Sequence, residues 1–406
     1  MKQKKSKFSW ATGGRIIFVL FILLCAFTFA MFQGGFVSWF IFYTLLPFAL
    51  YSIGFFLSPI SKIEAERYIQ TGQVQNGGKL IVTVKLIRPS RFPMLYLLIN
   101  EKTRSEVLLK HAGSRLKTVK LVGLQKVIEW TYEIDHMPRG EHYFDGIEIE
   151  VSDFFGWVKK THVFPINQNI IVYPNVTEMI YMPIETRYDQ GTAASPFTIV
   201  KDTTMATGIR DYQPGDRVSW IHWKSFARTQ TLRTKEFEDR QSQDLFILID
   251  RQPSTTFEEQ IELTASVLQA VVRHQASAAF LSVGEDRFYF PAVQSEEQLQ
   301  RSMFHLAKVL PDLKQPVNQV LLKDAAMSSA TSVLLITGNL TPEWIDSILK
   351  SAKNLRVCTC FVVVKKGAKL SKKDITVHQL ARSRGMVVHV LSQDHFANAF
   401  TEVGKS

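Results

Sequence analysis

Two long apolar runs stand close together near the start of this chain, and they constrain its fold more than any other feature. The first covers residues 16–32 and the second residues 36–57, and neither contains a charged residue. Because a bilayer core of about 30 Å needs about 20 apolar residues as a helix, each run predicts a membrane-spanning helix. Only Gln33, Gly34 and Gly35 separate the runs. We therefore expect an N-terminal two-helix transmembrane hairpin over residues 16–57.

The charges beside these runs predict how the hairpin is oriented. Basic residues flank both runs on the outer side, and no acidic residue precedes the first run; the basic residues are Lys2, Lys4, Lys5, Lys7, Arg15, Lys62 and Arg67. Basic flanks stay on the cytoplasmic side of a membrane. We expect a multi-pass protein of the cell membrane, with the basic tail (residues 1–15) and the soluble domains in the cytoplasm. A cleavable signal peptide is the alternative for the first run, although Thr28-Phe29-Ala30 is a poor cleavage site.

The overall charge restricts the classes of partner. The chain carries 48 basic and 37 acidic residues, a net charge of +11. The tail accounts for five of these charges, which leaves +6 for the part after residue 57. This mixed surface suits a position near anionic lipid headgroups. It lacks the concentrated basic stripe of nucleic-acid-binding proteins, so we expect no nucleic acid partner. Cys25, Cys358 and Cys360 form no disulfide framework, which agrees with a reducing cytosol.

Residues 58–176 show the pattern of an all-β, sandwich-like domain. Leu80, Val82, Val84 and Leu86 alternate with more polar residues, as expected of a half-buried strand. Shorter strand patterns cover residues 147–151 and 170–173. Turn-forming pairs separate these runs, namely Gly77-Gly78, Arg139-Gly140 and Asp145-Gly146.

Residues 244–406 show a different pattern, in which apolar strands alternate with helices. Strands are predicted over residues 245–249, 278–283, 332–337, 356–364 and 386–391, and helices over residues 257–274 and 376–384. Two further helices begin at a capping box, Ser295 with Gln298, and at Thr341 followed by Pro342. This alternation predicts an α/β domain with a mostly parallel sheet and helices on both faces. The fold class is therefore multi-domain.

Between these domains, residues 177–243 form a linker region with an unusual density of charged and aromatic residues. Its candidate site residues are Arg210, Asp211, Tyr212, Pro214, Gly215, Asp216, Ile221, His222, Trp223, Lys224, Ala227 and Arg228. Gln213 to Asp216 suits a type II turn. We expect Asp216 to cap a helix on which Val218, Ile221 and Ser225 share one side, with Asp211 and Asp216 as partners for Arg210 and Arg217.

Three interpretations of this segment remain open. Its tryptophans and paired charges are consistent with an internal clasp that ties the segment to the neighbouring sheet. They are also consistent with a surface that recognises a protein. In the third interpretation His222, Asp216 and Lys224 are acid–base groups of an enzyme.

The segment resembles the signature of the DUF58 family, a domain of unknown function. The matching residues are Arg210, Tyr212, Pro214, Gly215, Asp216, Ile221, Trp223, Lys224, Ala227 and Arg228. The family's arginine before the isoleucine is replaced here by Ser219 and Trp220. The resemblance implies a sheet similar to a von Willebrand factor A domain. It also implies a gene near those of a MoxR-type AAA+ ATPase and of transglutaminase-like membrane proteins. It implies no catalytic residue, because the family's activity is not established.

The von Willebrand comparison raises the question of a metal site. Such sheets hold a divalent cation at D-x-S-x-S after the first strand, and oxygen ligands suit Mg²⁺. Here Asp250 and Ser254 match, but Gln252 replaces the middle serine and Gly338-Asn339 stands where an aspartate is expected. We therefore expect no metal and no cofactor, with Mg²⁺ at Asp250 and Ser254 as the alternative. Without a metal, Asp250 would cap either the strand end or the following helix and pair with Arg251.

Together these patterns predict a membrane-anchored, cytosol-facing scaffold or assembly factor that binds other proteins rather than an enzyme. Its partners would be the lipid bilayer and a protein, such as a MoxR-type AAA+ ATPase or a transglutaminase-like membrane protein. The alternative is an enzyme that acts on a membrane or cell-envelope substrate.

Overall fold

The structure is a computed structural model that describes residues 10–70, 72, 74–182, 206–213, 218–237, 245–314, 317–321, 325–352, 355–368 and 370–403. The chain divides into two compact units, Met1–Pro174 and Asn175–Ser406. Most of the basic tail (residues 1–9) and much of the predicted linker (residues 183–205 and 238–244) lie outside the described residues.

The first unit begins with two helices, α1 (Trp10–Gln33) and α2 (Phe36–Leu57). Both are long and apolar enough to cross a membrane, and most of their apolar side chains are exposed. Gly34 has a φ of +61°, a conformation that glycine adopts without strain, and it allows the chain to reverse between the helices. The rings of Phe27 and Phe42 lie 5.5 Å apart, so the helices run side by side. The prediction of two apolar helices is confirmed.

The rest of this unit is mainly β-structure, with one short helix, α3 (Glu106–Ala112). Its strands are β1 (Glu64–Ile69), β2 (Val74–Gln75), β3 (Leu80–Ile87), β4 (Met94–Thr103), β5 (Lys117–Gly123), β6 (Val127–Ile134), β7 (Gly140–Ser152), β8 (Lys159–Phe164) and β9 (Gln168–Tyr173). One antiparallel sheet has the order β1-β3-β6. The other has the order β2-β9-β7-β4-β5, with β8 paired to β7. Both sheets contribute to one hydrophobic core, as a sandwich-like arrangement requires.

The sequence pattern correctly located three strands of this unit, β3, β7 and β9, and did not predict the other six. The four apolar residues predicted on one face of β3 are fully buried, and their neighbours are only partly buried. The predicted turn at Asp145-Gly146 is wrong, because both residues lie inside β7. A Cβ at Gly146 would lie 2.4 Å from the carbonyl oxygen of Phe164 on β8. The glycine therefore permits a close approach of two strands, a role that a sequence does not distinguish from a turn.

The second unit contains a two-stranded hairpin and a six-stranded sheet. The strands are β10 (Ala206–Asp211), β11 (Arg233–Phe237), β12 (Leu245–Asp250), β13 (Ala278–Val283), β14 (Phe288–Val293), β15 (Ser332–Thr337), β16 (Val357–Val363) and β17 (Met386–Leu391). The helices are α4 (Trp223–Thr229), α5 (Phe257–Arg273), α6 (Glu296–Lys308), α7 (Val317–Leu321), α8 (Pro342–Ser351), α9 (Lys372–Ser383) and α10 (Ala399–Val403).

The large sheet has the order β14-β13-β12-β15-β16-β17. Its strands pair in parallel except for β14, which pairs antiparallel with β13 at one edge. Phe246 and Leu248 on β12 share a core with Trp344 of α8, and the alternate residues Ile247 and Ile249 are also fully buried. Both faces of the sheet are therefore covered, as the continuous apolar strands predicted. The antiparallel edge strand β14 was not predicted.

The predicted helix boundaries in this unit are largely confirmed. Ser295 and Gln298 form the expected capping box at the start of α6, and Thr341 caps α8 with Pro342 in its first turn. Helix α9 begins one turn earlier than predicted, because Ser371 and Asp374 form a second capping box. Cys358 and Cys360 are buried and free, as expected.

Candidate functional site

The signature segment folds as a hairpin with an inserted helix. Strands β10 and β11 pair antiparallel, so Arg210 lies opposite Thr234 and Asp211 opposite Arg233. Between these strands come a 3-10 turn (Val218–Trp220) and the helix α4. Pro214, Gly215, Asp216 and Arg217 lie outside the described residues, so the predicted turn and the predicted cap at Asp216 stay predictions.

The predicted single helix from Asp216 through Ser225 is wrong. Ile221 is buried and forms an isolated β-bridge with Thr234, and the N–H of His222 donates to the carbonyl of Arg233 at 2.8 Å. These two contacts hold residues 221 and 222 beside β11 and outside any helix. The segment therefore breaks into a 3-10 turn and a separate α-helix.

His222 provides the start signal for that helix. It is the N-cap of α4, and its Nδ1 accepts a hydrogen bond from the N–H of Ser225 at 3.1 Å. This bond satisfies one of the free N–H groups at the helix start. It also occupies the Nδ1 lone pair, which is then not available as a general base. The structure thus gives His222 a structural role that the sequence did not suggest.

Helix α4 ends after two turns. Gln230 adopts a left-handed conformation with a φ of +54°, and its N–H donates to the carbonyl of Phe226 at 2.9 Å. Such a residue closes many helices. The chain then enters β11. Just before that strand, the carbonyl of Leu232 accepts a hydrogen bond from the N–H of Tyr212 at 3.0 Å.

Asp211 and Arg233 form an ion pair across the two strands of the hairpin, whereas Arg210 donates within its own strand. The Arg233 Nε lies 3.4 Å from the Asp211 Oδ1, and Arg210 donates from Nη1 to the backbone oxygen of Asp211 at 3.1 Å. Arg233 could not be predicted as a partner of Asp211, because their 22-residue separation carries no local pattern. Only the strand register brings the two together.

Helix α4 presents its side chains to solvent. All seven of its residues are described and none is buried; the Trp223 side chain is 58% exposed. We define the α4 surface by its exposed residues, which are Val218, Trp223, Lys224, Phe226, Ala227, Arg228 and Leu232. The Trp223 and Phe226 rings lie 6.2 Å apart in an edge-to-face arrangement. Helix α4 itself is therefore exposed, while Ile221 just before it is buried.

A second group of candidate residues lies at the carboxyl end of the large sheet. The Asp250 carboxylate accepts from the N–H of Gln252 at Oδ1 and from the Thr337 hydroxyl at Oδ2, both at 2.8 Å. Burial raises the pKa of Asp250 to about 6, against the effect of these hydrogen bonds. Asp250 thus caps the end of β12, which is the role predicted for it in the absence of a metal.

The expected pair of Asp250 with Arg251 is wrong. Arg251 forms its ion pair with Asp312 and donates to the carbonyl of Asp286 at 2.8 Å. Gly284 permits this arrangement, because a Cβ at that position would lie 2.3 Å from the Arg251 Cζ. Arg251 therefore ties together the loop between β13 and β14 and the loop that follows α6.

The residues at this sheet edge do not fit a divalent cation. Ser254 Oγ accepts from the Gln260 Nε2 at 2.6 Å, and both oxygens of Asp250 already have donors. Across the described part of the chain, no group of three or more His, Cys, Asp or Glu residues could hold a metal ion. The groups that surround the buried Asp250 carboxyl are hydrogen-bond donors of Gln252 and Thr337, and the ion pair of Arg251 with Asp312 lies beside them.

Comparisons with known proteins place the signature segment in its family. The family model described as "Protein of unknown function DUF58" matches residues 208–404. The chain is also 32% identical over 389 residues to the uncharacterized protein YeaD of Bacillus subtilis (strain 168), a match that covers 95% of this chain and 97% of YeaD.

Comparisons of structure give much weaker similarities. Macromomycin matches with a TM-score of 0.14 and 9% identity, over 25% of this chain and 99% of macromomycin. Cwp6 from Clostridium difficile matches with a TM-score of 0.17 and 8% identity, over 83% of this chain and 55% of Cwp6. Neither TM-score supports a shared fold. The signature segment and the similarity to YeaD over nearly the whole length establish that this chain belongs to the DUF58 family.

Proposed function

We propose that the chain is a membrane-anchored, cytosol-facing scaffold or assembly factor that binds another protein through its α4 surface. In this proposal the α1–α2 hairpin spans the membrane, and the basic residues beside it keep the soluble parts in the cytoplasm. The proposal also treats the α/β sheet of the second unit as similar to a von Willebrand factor A domain.

The exposure of the α4 surface is the observation that carries this proposal. A segment that only stabilised the fold would bury its aromatic residues, because their burial is what stabilises. Here Trp223 and Phe226 remain in contact with water while a well-formed cap and hairpin hold them in place. Tryptophan and arginine are the residue types that most often dominate binding energy at protein interfaces.

The composition of the α4 surface indicates the chemistry of its partner. Lys224 and Arg228 lie on the same short helix as the exposed aromatic rings, and both are exposed. Such a surface fits a partner that presents acidic side chains around an apolar centre. A MoxR-type AAA+ ATPase is the first candidate and a transglutaminase-like membrane protein the second, as the family resemblance implies.

A binding assay with the full-length chain tests this proposal. The chain is reconstituted in lipid nanodiscs and titrated with a purified MoxR-type ATPase from the same organism. The Trp223→Ala/Phe226→Ala double variant should weaken binding at least tenfold, because it removes both exposed rings. Phe304→Ala is the matched control, since Phe304 is a comparably exposed aromatic residue on α6 of the same unit.

Two results would contradict the proposal. The first is equal binding by the double variant and by the control. The second is an absence of binding to the ATPase together with an absence of any acidic partner in cross-linking experiments on intact membranes.

A further inference from the structure

The last turns of α2 are fixed to the β-structure of the first unit. The Ser52 hydroxyl donates to the Asp153 carboxylate at 2.7 Å, and both side chains are buried. Tyr51 stacks on Phe92 with ring centroids 5.6 Å apart. Phe55 is fully buried in the core that the two sheets share. This end of α2 therefore contacts protein rather than solvent or lipid.

A tight loop beside this joint presents aromatic rings at the surface. The loop spans residues 153–158 and is closed by the N–H of Asp153, which donates to the carbonyl of Val158 at 3.0 Å. Phe154 and Phe155 are 57% and 46% exposed, and Phe155 stacks on Trp157 with centroids 4.5 Å apart. We refer to Phe154, Phe155 and Trp157 as the aromatic loop. Exposed rings in such a cluster usually mark a contact surface.

The aromatic loop lies alongside the apolar helices. The ring centroids of Phe154 and Phe155 are 5.6 Å and 5.0 Å from that of Phe48 on α2. Phe48 is nine residues before the end of α2, which corresponds to about 13 Å along the helix axis. The loop therefore reaches well back along a segment that is apolar throughout.

The part of α2 between the hairpin turn and the aromatic loop indicates how deep in the membrane the aromatic loop lies. From Phe36 at the hairpin turn to Phe48, the helix rises about 18 Å. A hydrocarbon core is about 30 Å thick, so these residues alone do not span it. To complete the span, α2 must continue in the hydrocarbon core for about 12 Å beyond Phe48. Phe48, where the aromatic loop contacts α2, therefore lies inside the hydrocarbon core. In a spanning hairpin, Phe154 and Phe155 are thus level with the lipid.

We propose that the aromatic loop inserts into the bilayer beside α2, so that the β-structure of the first unit is partly embedded rather than suspended above the membrane. This inference rests on the proposed membrane anchor. Phenylalanine side chains favour the acyl region, and tryptophan favours its boundary with the headgroups. The single acidic group of the loop, Asp153, is buried and accepts from Ser52 and from the N–H of Val158, so it faces protein and not lipid.

The residues around the loop fit the same depth. Arg91 is exposed and precedes Phe92, which stacks on Tyr51 of α2. A basic side chain at this level can reach lipid phosphates while its neighbour packs on the helix. Leu124 is also exposed, and its turn is held close to the same region by Arg88, which donates to the carbonyl of Gln125 at 2.9 Å.

Spin-label depth measurements on the full-length chain test the inference. The chain is placed in nanodiscs of phosphatidylethanolamine and phosphatidylglycerol, and Cys25→Ala removes the exposed cysteine. A label is attached at Phe155→Cys, and Phe154→Cys serves as a second position. The control is Tyr143→Cys. Tyr143 is 44% exposed and lies on β7, the strand that leads into the aromatic loop, nine residues and about 30 Å before the end of that strand.

The expected result is that the label at position 155 collides more with oxygen than with a water-soluble nickel complex, and that position 143 shows the reverse. Equal accessibility to nickel at positions 154, 155 and 143 would overturn the inference. A label on the native Cys25, in the middle of α1, separates the two proposals. If Cys25 contacts lipid while positions 154 and 155 contact water, the anchor stands and the inserted loop is wrong. If Cys25 also contacts water, the anchor itself is wrong.

Discussion

Arg67 on β1 and Glu101 on β4 form an ion pair that is completely buried between the two sheets of the first unit. The Arg67 Nη2 lies 2.6 Å from the Glu101 Oε2, and the Nε donates to Oε1 at 3.1 Å. Arg67 also donates to the carbonyl of Ile166 at 2.9 Å. The guanidinium thus connects strands of different sheets, and its geometry is the two-pronged one that suits a carboxylate.

The first prediction concerns this pair. Arg67→Met leaves the Glu101 carboxylate buried without its partner, and breaking such a pair costs about 3–5 kcal/mol. We expect a corresponding loss of stability in the first unit. Amide hydrogen exchange of peptides from β1 and β4, measured on the full-length chain in detergent, reports it.

The matched control removes both charges. Arg67→Met/Glu101→Leu replaces the pair with apolar groups of similar volume, and we expect it to recover most of the lost stability. A double variant no more stable than the single variant would contradict this account.

This pair shows where sequence analysis of the fold reaches its limit. The alternation of apolar residues identified β3 and β7, because one buried face imposes a period of two. The same pattern gives no information on which polar residues face each other across a core. Arg67 and Glu101 are 34 residues apart, and only the stacking of two sheets brings them together.

The second prediction concerns Gly146, which the sequence suggested was a turn residue. Its missing side chain allows β7 and β8 to approach, because a Cβ there would lie 2.4 Å from the Phe164 oxygen. We expect Gly146→Ala to destabilise the first unit by about 1–3 kcal/mol, the usual cost of overpacking. Gly72→Ala is the control, since no atom lies within 4 Å of its Cβ position. Thermal unfolding of the two variants should differ clearly; equal melting temperatures would show that the strands can shift at little cost.

The third prediction concerns the pH dependence of the second unit. The pKa of Asp250 is about 6 in the folded protein, against a usual value of 3.8. The folded state therefore holds this proton more tightly than the unfolded state. The resulting stability is complete below about pH 4 and is lost as the pH rises through 6, by about 3 kcal/mol for two pKa units.

Asp250→Asn mimics the neutral carboxyl and should remove this pH dependence. The measurement is hydrogen exchange of peptides from β12 and β15 at several pH values between 4 and 7, corrected for intrinsic exchange rates. A variant that loses stability with rising pH as steeply as the native chain would contradict the assignment to Asp250.

The fourth prediction concerns His222. Its Nδ1 caps α4, and loss of an N-cap costs about 1 kcal/mol. We expect His222→Ala to increase hydrogen exchange within α4, whereas His222→Asn, which also caps helices well, should preserve protection. An unchanged exchange rate in His222→Ala would show that the β-bridge at Ile221 alone fixes the helix start.

The signature segment illustrates how much of a site a sequence reveals. Its unusual composition singled out the segment, and the resemblance identified the family. The assignment of roles failed, because Ile221 joins β11 through a contact with Thr234 that no helical spacing predicts. Exposure of Trp223 is likewise a property of the fold, since an isolated sequence favours burial of tryptophan.

The last prediction concerns Lys160, which holds the end of α2. Its Nζ donates to the carbonyls of Phe55, Phe56 and Ser58 at 2.9, 2.8 and 2.6 Å. Burial lowers the pKa of Lys160, which disfavours the ammonium form. The three carbonyl acceptors replace the water lost on burial and so favour the ammonium form. Lys160→Met removes all three donors and leaves the last carbonyls of the helix unsatisfied, at a cost of about 1–3 kcal/mol.

The neighbouring Lys159 provides the control for this change. It is exposed and pairs with Glu150 on the surface, where a salt bridge contributes at most about 1 kcal/mol. We expect Lys160→Met to increase hydrogen exchange at residues 55–58 and to broaden the distance distribution between spin labels on α2 and β7, while Lys159→Met leaves both unchanged. Equal behaviour of the two variants would contradict this role of Lys160. The Ser52–Asp153 hydrogen bond and the burial of Phe55 would then be enough to fix the end of α2 on the sheet.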